Sequence, residues 1–135
     1  MKILVIDGQG GQLGGQLIKS IKSNFENIDI TAVGTNATAT GTMLKAGANQ
    51  AATGENAVVV ACRKADVIIG PIGIVIADAL LGEVTPQMAV AVGQADAVRI
   101  LLPMNKCDNL VAGISDVSMT IILEDAVNKL RAIVK

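Results

Sequence analysis

The sequence predicts an α/β fold: a single three-layer Rossmann-like domain, residues 1–135, with a mostly parallel sheet of about five strands and helices on both faces. Three observations carry this reading. Short β-branched runs alternate with stretches of helical spacing, the pattern of βαβ units. The first apolar run is followed at once by glycines, in "VIDGQGGQLGG". Finally, 135 residues are enough for one buried core but too few for separate cofactor and substrate domains.

Taken in order, Lys2 to Ile6 is the first strand, and a helix runs from about Gly11 to Asn24, where Leu13, Leu17 and Ile21 recur every fourth position. "IDITAV" is the second strand. Asn36 is an N-cap for a helix carrying Ala39, Met43, Leu44 and Ala46, which Gly47 stops in the C′ position. "NQAAT" is a weak third strand. Thr53 caps the next helix, whose first turn holds Glu55 and whose last holds Arg63 and Lys64, matching the helix dipole. "ADVIIG" is strand four, and the mostly apolar residues after Pro71 show no clean period and fit a buried helix or a strand, a short helix to Leu81 being favoured. Thr85 and Pro86 are the N-cap and N1 of a helix ending near Gly93. "AVRILLP" is strand five, "NLVAGI" a sixth, and a last amphipathic helix spans Ser118 to Val134.

Composition narrows the function classes. With 51% hydrophobic and 17% charged residues and a mean hydropathy of +0.54, the chain has more apolar material than a domain of this size easily hides, so a homo-oligomer is expected. The net charge of −1 and a single aromatic residue, Phe25, offer no footprint or stacking platform for nucleic acid. The apolar runs are far shorter than the roughly 20 residues of a membrane span, so the expectation is a soluble cytoplasmic protein with no membrane partner. Cys62 and Cys107 form no CxxC pair and read as reduced thiols.

In an open parallel sheet all strands point their carboxyl ends to one edge, where ligands bind. That edge collects "DGQGGQLGG", "GTN", "TGEN", "GPIG" and "PMNKCDN", all small or amide-bearing. The candidate ligand is a small nucleotide, an adenine nucleotide or NAD(P), with Gly8, Gln9, Gly10, Gly11, Gln12 and Gly14 around the phosphate on the N-terminus of the first helix and Asp7 at the strand end able to hold a ribose or a metal. The spacing of Gly8, Gly11 and Gly14 is GxxGxxG rather than GxGxxG, since position 13 is Leu13, and no lysine follows as a P-loop needs. Thr35 and Asn36 stand where dinucleotide sites carry a ribose-binding acid, so a 2′-phosphate or another nucleotide is also compatible. Glu55, Asn56, Asn105 and Lys106 complete the rim, and Gly70 and Gly73 permit a positive φ or a close ligand. Each motif has a plain structural alternative: a tight turn, a helix cap, a first-turn acid.

Catalytic groups are scarce. Without histidine or tyrosine there is no Ser-His-Asp triad, no histidine-ligated metal site and no Tyr-x-x-x-Lys pair, which leaves Asp7, Glu55, Lys106 and Cys107. Three function classes follow: a nucleotide-binding module first, a small oligomeric enzyme completed by a neighbouring subunit second, and a structural assembly protein without a ligand third.

The combination "VIDGQGG", "AVGTN", "LKAGA", "ATGENA", "DVIIGPIGI", "GEVTP" and "PMNKC" resembles a family of short prokaryotic proteins known only as a domain of unknown function. That resemblance covers nearly the whole chain and implies a Rossmann-like fold, with no activity or catalytic residues to carry over. Over about the first 36 positions the glycine spacing is also similar to that of extended short-chain dehydrogenases and sugar epimerases. The chain departs from those enzymes in lacking their tyrosine and their substrate half.

Overall fold

A computed structural model describes residues 1–104 and 108–134. Five strands form one sheet: β1 (Lys2–Asp7), β2 (Asp29–Gly34), β3 (Gln50–Thr53), β4 (Val67–Pro71) and β5 (Val98–Leu102). Their order is β3-β2-β1-β4-β5 and every neighbouring pair is parallel. Parallel strands need crossovers, and here each crossover carries a helix. These are α1 (Gln12–Asn24), α2 (Ala37–Lys45), α3 (Glu55–Lys64) and α4 (Pro86–Gln94), with α5 (Met119–Ile133) following β5.

The core lies on both sides of the sheet, as buried parallel strands require. On one face Leu17, Ile18 and Ile21 of α1, Met43 of α2 and Leu130 of α5 pack on Ile3, Val5, Ile30 and Ile69. On the other, Val58 and Cys62 of α3 and Met88 and Val92 of α4 pack on Leu4, Ile6, Val33 and Ile68. Successive residues of β1 therefore feed opposite layers, the period-two consequence of strand geometry.

Helix ends largely follow the local chemistry. Asn36 accepts from the Ala39 amide, Thr85 from Met88, and Ser118 from Ile121. Gly47 follows α2 with φ +122°, which closes the helix as expected. Three expectations are corrected. Thr53 ends β3 and Gly54 takes the N-cap of α3, because Gly54 at φ +103° supplies the turn that a threonine could not. The segment after Pro71 makes one 3-10 turn, Ile72–Val75, rather than a helix to Leu81. Residues 109–114 form no strand, and β5 remains an edge.

The register sets the site. Asp7 pairs with Gly34, so β1 and β2 end at the same height. The ladder then continues for one step beyond each strand, with the Thr35 amide donating to the Asp7 carbonyl at 3.0 Å and the Gly54 amide to the Gly34 carbonyl at 2.9 Å. The C-terminal edge is thus stitched level across three strands before any side chain is considered.

Candidate functional site

Asp7 is the last residue of β1 and the one buried polar or charged side chain among the described residues, 3% exposed. Its Oδ1 accepts from the Gly8 amide at 2.8 Å and its Oδ2 from the Gly14 amide at 2.7 Å. The carboxylate therefore folds the glycine loop back onto the first turn of α1, where it also meets the positive end of the helix dipole. Burial pushes the Asp7 carboxyl above its ordinary value, the two amide bonds oppose this, and the nearby Glu83 charge adds to it. Asp7 is thus a clamp inside the loop, with both oxygens engaged by the protein.

The glycines of the loop divide by role. Gly11 sits at φ +73° as the N-cap of α1, and a Cβ there would stand 2.7 Å from the Ala39 backbone. At Gly14 a Cβ would meet Met43 Sδ at 2.6 Å and Asp7 Cβ at 2.9 Å, so this glycine lets α1 cross β1 closely. Gly10 is different: it is exposed, and a Cβ there has no atom within 4 Å. Gln12 beside it is exposed and opens α1, so its amide belongs to the unsatisfied first turn of the helix.

The residue that organises the rest of the edge is Glu83, which sequence reasoning missed. Its Oε1 accepts from the Gln9 amide at 2.8 Å, from Thr35 Oγ1 at 2.6 Å and from Asn36 Nδ2 at 2.8 Å. Asn36 uses its Oδ1 to cap α2 and its Nδ2 also donates to the Gln9 carbonyl at 2.9 Å, so it is both cap and bridge. Burial alone would raise the Glu83 carboxyl, but the bonds from Thr35, Gln9 and Asn36 outweigh it and hold the group below its ordinary value.

Glu83 arrives there on an unusual backbone. Asp78, Leu80 and Leu81 have φ of 67°, 57° and 58°, a region that leucine seldom enters. Paired bonds hold the turn, from the Asp78 amide to the Val84 carbonyl at 2.7 Å and from the Val84 amide to the Ala79 carbonyl at 3.1 Å. Leu80, 2% exposed, and Val84, 1% exposed, root it in the core. Over Gly8, the Leu80 and Glu83 side chains approach so closely that a Cβ would lie 2.8 and 2.9 Å from them. The signal available in sequence was the acid in "GEVTP", directly before the Thr85–Pro86 helix start; reading residues up to Leu81 as helix hid the loop that carries it.

The remaining expected residues are distributed as follows. Glu55 stands in the first turn of α3 and its Oε1 accepts from Thr85 Oγ1 at 2.6 Å, two positions from Glu83. Asn56 is exposed beside it. Gly70 is buried in β4, where a Cβ would collide with the Ile6 carbonyl, and Gly73 lies buried in the 3-10 turn; neither takes a positive φ. Asn105, Lys106 and Cys107 lie outside the described residues. Cys62 is buried against the sheet, and burial pushes its thiol up to about 11. Among the described residues no three His, Cys, Asp or Glu side chains are grouped to hold a metal, and no helix is long and apolar enough to cross a membrane.

A five-stranded doubly wound sheet with a glycine loop at its carboxyl edge defines this chain as a Rossmann-like α/β protein. More particularly, it belongs to the family described as a domain of unknown function, DUF3842, which matches residues 2–135. No curated protein matches it. Among solved structures it is similar to a dodecameric FMN-dependent UbiX-like decarboxylase from Escherichia coli O157:H7. The TM-score is 0.45 at 18% identity, over 97% of this chain and 76% of that one.

Proposed function

We propose that this protein binds a small nucleotide at the carboxyl edge of its sheet. The observation that supports the reading best is that the loops after β1 and β2 and the β4–α4 connection meet beside the glycine loop, tied together by bonds from the Gln9 amide, Thr35 Oγ1 and Asn36 Nδ2 to Glu83 Oε1. Loops from the ends of β1, β2 and β4 that meet beside the switch point between β1 and β4 form the crevice in which this architecture binds nucleotides. The phosphate belongs at Gly10 and Gln12, where the loop is open and the helix presents free amides.

The same geometry favours a ligand of mononucleotide size. A dinucleotide crossing from the β1 loop toward β4 would have to displace Leu80, which is rooted in the core above Gly8. Among the described residues the acids at the loop, Asp7 and Glu83, are both held by amides or hydroxyls, which supports binding over chemistry.

The test is calorimetric titration with AMP, ADP, NAD, NADP and FMN. Gly10→Asp is the control, because it places a negative charge at the open position without a steric clash. Binding of a mononucleotide to the wild type, lost in Gly10→Asp at unchanged melting temperature, is the expected result. A folded wild type that binds no member of the panel would end the proposal.

A further inference from the structure

Glu83 is held asymmetrically. All three donors engage Oε1, and among the described residues Oε2 has no hydrogen-bond partner and no lysine or arginine pairs with the carboxylate. A negative charge is therefore fixed at the edge of the glycine loop by neutral donors, with one acceptor oxygen uncommitted. The end of β2, where a ribose-binding acid would ordinarily sit, carries Gly34, Thr35 and Asn36 instead. Those two polar side chains bond to an acid supplied from 48 and 47 positions further along the chain.

We infer that Glu83 is the ribose-reading residue of the site. Thr35, Asn36 and the Gln9 amide orient it through Oε1, and Oε2 accepts the 2′-hydroxyl of a nucleotide whose ribose carries no 2′-phosphate. The inference rests on the nucleotide reading above and adds the class of ligand. Two physical facts carry it beyond a structural staple. A carboxylate accepts from hydroxyls but repels a second phosphate, so the same group selects for one ribose and against the other. The presenting turn also keeps two leucines in left-handed conformation, with Leu80 and Val84 anchored, so the carboxylate is placed by a rigid support rather than by a mobile surface loop.

The experiment compares AMP, 2′-deoxy-AMP and adenosine 2′,5′-bisphosphate on the full-length protein by calorimetry. The variants are wild type, Glu83→Gln and Glu83→Ala, with circular dichroism melts reporting that each is folded. The wild type is expected to bind AMP at least about tenfold more tightly than either analogue. Glu83→Ala should weaken AMP by about tenfold and bring the three ligands level. Glu83→Gln should lose the discrimination against the 2′-phosphate while keeping the fold. Discrimination that persists in Glu83→Gln, or AMP affinity that rises in Glu83→Ala, overturns the inference while leaving the nucleotide reading intact. Absence of AMP binding in the wild type while ADP or FMN binds overturns only this inference; absence of all nucleotide binding overturns both.

Discussion

Glu83 and Thr35, 48 residues apart, share a 2.6 Å hydrogen bond across the carboxyl edge of the sheet. That bond joins the β4–α4 connection to the end of β2 and passes directly over Gly8, whose missing side chain leaves the space. The edge is therefore a tied structure before any ligand arrives.

The tie has a pH signature. Because the folded Glu83 carboxyl lies below its ordinary value of 4.5, its contribution to stability is fully present above that value and is lost as the pH falls through the folded one. The stability difference between wild type and Glu83→Gln, from urea unfolding, should be constant near neutrality and shrink below pH 4.5. Asp7 acts in the opposite sense: its folded value is raised, so protonation favours the folded state as the pH falls toward 3.8. A gap between wild type and Glu83→Gln that widens on acidification would contradict the assignment.

Loop glycines should respond to substitution according to their surroundings. Gly14→Ala forces a methyl against Met43 and Asp7 and should cost about 1–3 kcal/mol. Gly10→Ala faces open space and should change stability by less than about 0.5 kcal/mol. Denaturant midpoints measure both, and equal effects would mean the loop is packed differently.

Cys62 should be inert in the folded protein. It is 4% exposed and burial pushes its thiol up to about 11, so the thiolate is scarce and sheltered at neutral pH. Alkylation followed by peptide mass mapping is expected to leave Cys62 unmodified until denaturant is added. Rapid native labelling at that peptide would show that α3 opens readily.

Self-association should follow from the surface. Leu81 and Leu110 are 96% and 95% exposed, and Ile114, Val117 and Ile121 add further apolar area. Light scattering should report a homo-oligomer at micromolar concentration, and Leu110→Asp should shift it toward smaller species. A stable wild-type monomer would refute this.

Local chemistry was enough to read much of the architecture. The apolar spacing of Leu13, Leu17 and Ile21, the caps at Asn36 and Thr85, and Gly47 after α2 act within a few residues, so their meaning is written beside them. The glycine loop could likewise be placed at the carboxyl end of a first parallel strand. What sequence could not decide was which groups the protein keeps for itself. Asp7 looked free to meet a ligand, yet both of its oxygens are engaged by Gly8 and Gly14 amides, a closure that depends on α1 packing back over β1. Glu83 drew no reading from sequence, yet the strained turn at Asp78, Leu80 and Leu81 carries it to Thr35 and Asn36. Both outcomes rest on long-range packing, in which the burial of Leu80 and Val84 outweighs the backbone preference of leucine, and no local pattern encodes that balance.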